Sequence, residues 1–237
     1  MKPKNLLRIL LAFLFVFAST QTYAMTIKWS MQGDSLTLDP HAQNEGPTTQ
    51  VSRQVYEALV ERGVDMKLGP SLATKWATVD ENTWYFYLRE DVKFSNGQKM
   101  TSEDVVFSIL RAKQPTSDFK EYISTISGVK AIDDYTVQIK TSKPNPILLN
   151  QLSNIFIMSK EWCNENFAIV PQNWDASQET FSAVNAMGTG PFKITLREPN
   201  TKTVFKRNKK WWGSMKDSKV TEIHLLPIKN AATRVAA

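Results

Sequence analysis

Residues 84–108 restrict the fold of this 237-residue chain more than any other stretch. Trp84, Phe86 and Leu88 alternate with Tyr85, Tyr87 and Arg89, the period of a β-strand with two different faces. Val92-Lys93-Phe94 then runs into Asn96-Gly97, a tight-turn pair because both residues accept positive φ. Thr101 stands three residues before Asp104, the spacing of a helix N-cap with an acid in the first turn. The helix so opened carries Val105, Val106, Ile109 and Leu110 inward and ends before Pro115. Strand, turn and amphipathic helix thus follow one another within a single segment.

The same switching of period recurs along the chain. Ile27, Trp29 and Met31 alternate in a strand over Thr26–Met31. Val51, Val55 and Leu59 recur every four residues, so Thr48–Glu61 reads as a helix with Pro47 at its start. Tyr135, Val137 and Ile139 mark another strand, and Pro144 and Pro146 introduce a short helix, Ile147–Leu152. Phe156-Ile157-Met158 is a short apolar strand leading into a helix over Ser159–Asn166. A polar loop with Trp174 precedes strands over Phe192–Arg197, Thr203–Lys206 and Val220–Leu226. Asn230 caps a last helix, and the chain stops about two turns into it, which reads as a C-terminal truncation.

The N-terminus carries an address. Lys2, Lys4 and Arg8 precede ten apolar residues, Ile9–Ala18, and Thr22-Tyr23-Ala24 is a cleavage site before Met25. Ten residues fall short of the roughly 20 that span a bilayer, so residues 1–24 read as a signal peptide rather than an anchor. No cysteine stands at the cleavage point to take a lipid. The leader holds three positive charges and no acid, so net charge falls from +6 to +3 without it. That mild excess gives no case for nucleic acid. Cys163 is the single cysteine, so packing without an intrachain disulfide holds the fold, with the thiol as a small buried hydrophobe.

Catalytic constellations are thin. His41 and His224 have no second ligand at metal spacing, and no Gly-x-Ser-x-Gly elbow is present. Gly188-Thr189-Gly190 lacks the lysine and helix of a phosphate loop. Asp133-Asp134 reads as a turn and Glu103-Asp104 as a helix cap. Trp211-Trp212-Gly213, after basic Lys206–Lys210, could stack single strands, but reads better as two tryptophans folded back on the core. No enzyme, metal or cofactor is expected.

Several ordered segments resemble the family 5 extracellular solute-binding proteins, the peptide and nickel receptors of ABC importers. They are Leu38-Asp39-Pro40-His41, Val55-Tyr56-Glu57-Ala58-Leu59, and Pro70-Ser71-Leu72-Ala73 with Trp76. The run from Trp84 through Asn96-Gly97 to Ser108 is the longest, followed by Val129–Val137, Gly188-Thr189-Gly190-Pro191-Phe192, and Lys206-Arg207-Asn208 with Trp211-Trp212-Gly213.

The resemblance implies an α/β receptor of the periplasmic-binding-protein type II kind, closing on its ligand like a clamshell. Residues 25–50 and 160–237 would form an incomplete first lobe, and residues 51–159 an inserted α/β extra domain, with the second lobe missing. It further implies a periplasmic monomer that captures small peptides and hands them to a membrane permease. The alternatives are receptors for a nickel chelate, opine, glutathione or oligosaccharide, a non-binding fragment, or an interaction protein exposing its unpaired lobe. Asn44, Glu45, Gly46 and Pro47 would lie along the ligand, and Met187, Gly188, Thr189 and Gly190 would form another wall. The glycines there would let a ligand backbone approach closely. Phe119 and Tyr122 would reach the cleft from the extra domain.

Overall fold

The computed structural model describes residues 24–236. The expected signal peptide therefore lies outside the described residues, apart from Ala24. In chain order the elements begin with β1 (Met25–Met31), α1 (Gly46–Val55), β2 (Val60–Arg62), β3 (Leu68–Pro70), β4 (Ala73–Asp80) and β5 (Thr83–Leu88). There follow α2 (Ser102–Ala112), β6 (Ile126–Asp133), β7 (Thr136–Thr141), α3 (Leu148–Leu152), α4 (Lys160–Glu165) and α5 (Phe181–Val184). The last are β8 (Phe192–Glu198), β9 (Lys202–Arg207), β10 (Val220–Pro227) and α6 (Ala231–Ala236).

Two four-stranded sheets organise these elements. One has the order β1-β10-β9-β8, with β1 and β10 parallel and the other pairs antiparallel. The other is wholly antiparallel, β4-β5-β7-β6, and helix α2 covers it. Each sheet has its own core. Phe86, Val105, Ile109, Val137 and Ile139 fill the antiparallel one. Val51, Val55, Phe192, Phe205 and Leu225 fill the one behind β1 and β10, with Cys163 buried among them as a small hydrophobe.

The chain passes between the cores at two neighbouring places. Helix α1 stops at Val55 instead of continuing to Glu61, because Gly190 N–H takes the Val55 carbonyl at 2.8 Å and Tyr56 turns extended. Val51 and Val55 thus face one core, while Leu59 of the same four-residue series enters the other. A division drawn at Val51 runs through this helix. On the way back, Ile155 and Ile157 point into the core of the antiparallel sheet, and Phe156 and Met158 into that of the mixed sheet. Phe156 makes a single antiparallel bridge to Ala58 rather than a strand of its own, so the two crossings lie side by side. Period-2 alternation between two apolar neighbours explains why 155–158 reads as continuously hydrophobic.

Other expectations shift in detail. Asp104 accepts the Thr101 N–H at 2.8 Å, as the spacing predicts. On α2, however, Leu110 is 52% exposed and Arg111 takes the inward position, 1% exposed. Gly97 alone of the Asn96-Gly97 pair has positive φ, 100°. Strands β2, β3, β4 and β6 and helix α5 are additions to the sequence reading. Among the described residues no helix is long and apolar enough to cross a membrane.

Candidate functional site

The parallel pairing of β1 with β10 brings their carboxyl ends, Met31 and Pro227, to the same edge, where Ile228 N–H donates to the Met31 carbonyl at 2.8 Å. The β8–β9 turn reaches that edge too, because β9 runs antiparallel to β10. Helix α1 opens there, with the Glu45 carboxylate accepting the Thr48 N–H at 2.7 Å as N-cap. A cleft of about 780 Å³ occupies this position, lined by Gly33–Leu36, Glu45, Pro47, Gln172, Trp174, Glu179, Arg197 and Lys229 among others. Open α/β sheets bind ligands in the crevice at the carboxyl ends of their strands, and this cleft lies there.

Its floor is fixed by charge. Arg197 Nη1 holds both carboxylate oxygens of Asp34, at 2.7 and 2.8 Å, and Nη2 donates to the Ser35 carbonyl at 2.6 Å. The Asn200 N–H also donates to Asp34, at 2.6 Å. Asp34 and Arg197 therefore balance each other.

Beside the cleft, Asn44 Nδ2–H donates to the Tyr122 hydroxyl at 3.1 Å, and the Tyr122 and Phe119 rings lie 5.8 Å apart. Tyr122 lines a second, shallower cavity of about 440 Å³, while Phe119 is buried beneath it. The structure thus brings Asn44, Phe119 and Tyr122 together and places Glu45 and Pro47 on the main cleft, with exposed Gly46 between them.

The segment Met187–Gly190 does not join them. Met187 borders a separate cavity of about 320 Å³ with Leu38 and Trp162. A Cβ on Gly188 would stand 2.2 Å from the Val55 carbonyl oxygen, and one on Gly190 2.7 Å from it. The backbone that comes close to these glycines is that of helix α1 of this chain. Thr189 is fully buried and donates to Glu57 Oε2 at 2.7 Å.

Two buried carboxylates tie the sheets together behind the cleft. Asp39 forms a two-pronged pair with Arg111, 2.8 Å to Nη1 and 2.6 Å to Nη2. It also accepts the Ser182 hydroxyl and the N–H groups of His41 and Gln172. Arg111 satisfies its remaining N–H groups on the Ala168 and Val170 carbonyls and His41 Nδ1. Because guanidinium only donates, His41 Nδ1 must accept, so its proton sits on Nε2 and donates to the Phe156 carbonyl at 2.9 Å. Burial, then the Arg111 charge, push His41 down to about 4. Burial opposes ionisation of Asp39, yet the Arg111 charge and hydrogen bonds hold it at about 2.

Glu57 is the second carboxylate. The indole N–H groups of Trp211 and Trp212 donate to it at 2.9 and 2.8 Å, alongside Thr189. Burial raises its pKa, and these neutral donors only partly offset that. Arg89 lies over the Trp212 ring at 3.9 Å, and Gly213 leaves room for Trp211, whose ring a Cβ would meet at 2.4 Å. Of the two tryptophans Trp212 packs against the core, and both indoles are tied to Glu57.

The family model for bacterial extracellular solute-binding proteins, family 5 (Middle), matches residues 67–237. The chain belongs to that family. Among relatives of this solute-binding protein, the periplasmic oligopeptide-binding protein OppA of Salmonella typhimurium is 28% identical, over 84% of this chain and 38% of its own. The fold matches that of AgaA from A. tumefaciens R10, solved with agropinic acid, at a TM-score of 0.80 and 25% identity, over 90% of this chain and 42% of that one. Haemophilus influenzae OppA in complex with the peptide RPPGFSPFR matches at 0.78 and 26%, over 90% and 44%. The chain therefore spans about two fifths of the length of the relatives it matches.

Gln172, Trp174, Glu179, Asp34, Arg197 and Lys229 on the cleft are additions to the residues singled out from sequence. Asp34 and Arg197 are 163 residues apart, so no local pattern links them. Trp174, a tryptophan in an otherwise polar loop, was the available signal.

Proposed function

We propose that this solute-binding protein is the ligand-capturing part of a periplasmic receptor for an ABC importer, taking small peptides and delivering them to a membrane permease as a monomer. The observation that carries the reading is the cleft at the carboxyl ends of β1 and β10, with half-buried Glu45 and Pro47 on its wall and exposed Asn44 and Gly46 beside them. Main-chain groups on such a wall can pair with an extended peptide without reading its side chains. In this reading the β1-β10-β9-β8 sheet with α1 belongs to the first lobe, and the antiparallel sheet with α2 is the extra domain. The division falls at the paired crossings, residues 56–59 and 155–158. Export to the periplasm follows from residues 1–24 acting as a signal peptide.

Thermal-shift measurements with di- and tripeptides test this. A ligand present at 100 times its Kd stabilises by about 2.7 kcal/mol. Stabilisation by peptides and none by agropinic acid is the expected result; stabilisation by agropinic acid or sugars alone sinks the peptide reading.

A further inference from the structure

Charge is divided unevenly along the chain. Residues 192–237 hold 11 Lys and Arg against 3 Asp and Glu, a net +8, while residues 25–191 hold 15 against 20, a net −5. Much of the excess lies between the end of β9 and the start of β10. Lys206, Lys209, Lys210, Lys216 and Lys219 are all exposed there, and Asp217 is the one acid in that stretch. Lys209, Lys210, Lys216 and Lys219 make no ion pair among the described residues, and Lys206 meets Glu222 only at 3.9 Å.

The stretch is tied into one body. Arg207 Nη2 donates to the Ser218 carbonyl at 2.6 Å and to that of Met215 at 3.4 Å, which draws the two halves of the loop together. The Trp211 and Trp212 indoles fasten its middle to Glu57. Strand pairing sets the direction in which it faces. The main cleft lies at the carboxyl ends of β1 and β10, whereas the loop enters β10 at its amino end, where Met25 N–H donates to the Lys219 carbonyl at 3.0 Å. The lysines therefore stand at the opposite end of the sheet from the cleft.

A second, independent observation concerns the same end. Because Met25 is bonded to Lys219, the leader joins the fold beside this loop. Six residues, Ser19–Ala24, separate its apolar run Ile9–Ala18 from Met25, a reach of about 25 Å at full extension. When that run enters a bilayer, as a signal peptide's does, the lysine loop is the part of the folded chain held nearest the lipid. Met25 and Ile27 add apolar side chains at this edge, 45% and 38% exposed.

We propose that this end of the molecule is a lipid-facing surface: Lys206, Lys209, Lys210, Lys216 and Lys219 rest on anionic headgroups while the cleft points away into solution. A charged bilayer acts as a plane over about a Debye length, about 10 Å at 0.1 M salt, so the lysines need only share a face. The surface is separate from the cleft and does not depend on which ligand the cleft takes.

The test is co-sedimentation of the full chain with vesicles of phosphatidylglycerol and phosphatidylcholine in equal parts, and with vesicles of phosphatidylcholine alone. Binding to the anionic vesicles at low ionic strength is expected, with release in about 1 M salt, where the Debye length is about 3 Å. Each lysine near such a surface is worth about fivefold in affinity, so Lys209→Gln/Lys210→Gln and Lys216→Gln/Lys219→Gln should each weaken binding about 25-fold. Lys130→Gln/Lys140→Gln removes the same charge from exposed positions on the antiparallel sheet and should leave binding unchanged. All variants carry the same leader, so its own affinity cancels in the comparison.

Equal weakening by the loop and control variants would show that net charge alone is felt, and overturns the surface. Binding that ignores the loop variants, or that is as strong on phosphatidylcholine alone, assigns the affinity to the leader and overturns it too. Capture of the chain by poly-glutamate, with the anionic vesicles left unbound, assigns the loop to an acidic protein and likewise rules out lipid.

Discussion

Asp39 and Glu57 are both buried carboxylates, and both hold the antiparallel sheet against the mixed one, yet they are balanced in opposite ways. Asp39 faces a guanidinium whose donors are all satisfied, and its pKa falls to about 2. Glu57 faces two indoles and a hydroxyl, all neutral, and its pKa rises. Dense hydrogen bonding alone therefore does not keep a buried carboxylate acidic; the positive charge does. The Asp39 cluster behaves as a charge pair fixed in one geometry, and the Glu57 cluster as a polar plug that carries a charge at some cost.

Removing the cation should have the largest effect. Arg111→Met leaves Asp39 ionised, buried and without its pair, and should cost about 3–5 kcal/mol in urea unfolding. The double variant Asp39→Leu/Arg111→Met removes both charges and should recover part of that loss. If the double variant is no more stable than Arg111→Met alone, the cost lies in packing and the charge-pair account fails.

His41 offers the next largest effect through pH. Its folded pKa of about 4 lies below its ordinary 6.5, so the unfolded chain binds a proton that the folded chain refuses. The contribution is present above pH 6.5 and is lost as pH falls toward 4, amounting to about 3 kcal/mol. Glu57 and Asp104, whose pKa values are raised by burial, work against this trend. His41→Gln retains an acceptor and a donor but does not titrate, so its stability at pH 4.5 relative to pH 7 should fall less than that of the parent chain. An unchanged pH difference in the variant would remove His41 from the account.

Much of this comparison was within reach of the sequence, but not its partners. The α2 cap and the strands from Phe192 onward follow from period and punctuation, and the α/β class from the family resemblance. The inward position of Arg111 did not, because the apolar count favoured Leu110; only Ser108 and Ala112 on the same helix face hinted otherwise. Leu38-Asp39-Pro40-His41 and Val55-Tyr56-Glu57-Ala58-Leu59 stood out as family segments, yet their partners are 72 and 154 residues away for Arg111 and Trp211. The glycines at 188 and 190 were expected to let a ligand backbone approach; the structure sets the Val55 backbone against them, a partner more than 130 residues away that no local pattern links to them. On the cleft wall Glu45 and Pro47 belong to a segment that the sequence singled out, whereas Gln172, Glu179 and Lys229 come from separated loops with no periodic signal.

Glu57→Gln should have the smallest effect and the most informative sign. The amide oxygen can accept from one indole side, while the amide N–H2 turns a donor toward the other. One indole N–H then loses its acceptor, but the variant no longer buries a charge. These terms oppose, and a net loss of about 1 kcal/mol at pH 7 is expected. Because the Glu57 pKa is raised on folding, the parent chain gains stability from this group as pH falls through that value. The gap between parent and Glu57→Gln should therefore widen on acidification. For Asp39→Asn the gap should narrow as pH drops from 3.8 toward 2, since the Asp39 contribution is lost there. Urea melts of both variants across the acid range read the two slopes. Slopes of the same sign would show that the indoles and the guanidinium hold their carboxylates alike, and the contrast between the two clusters would collapse.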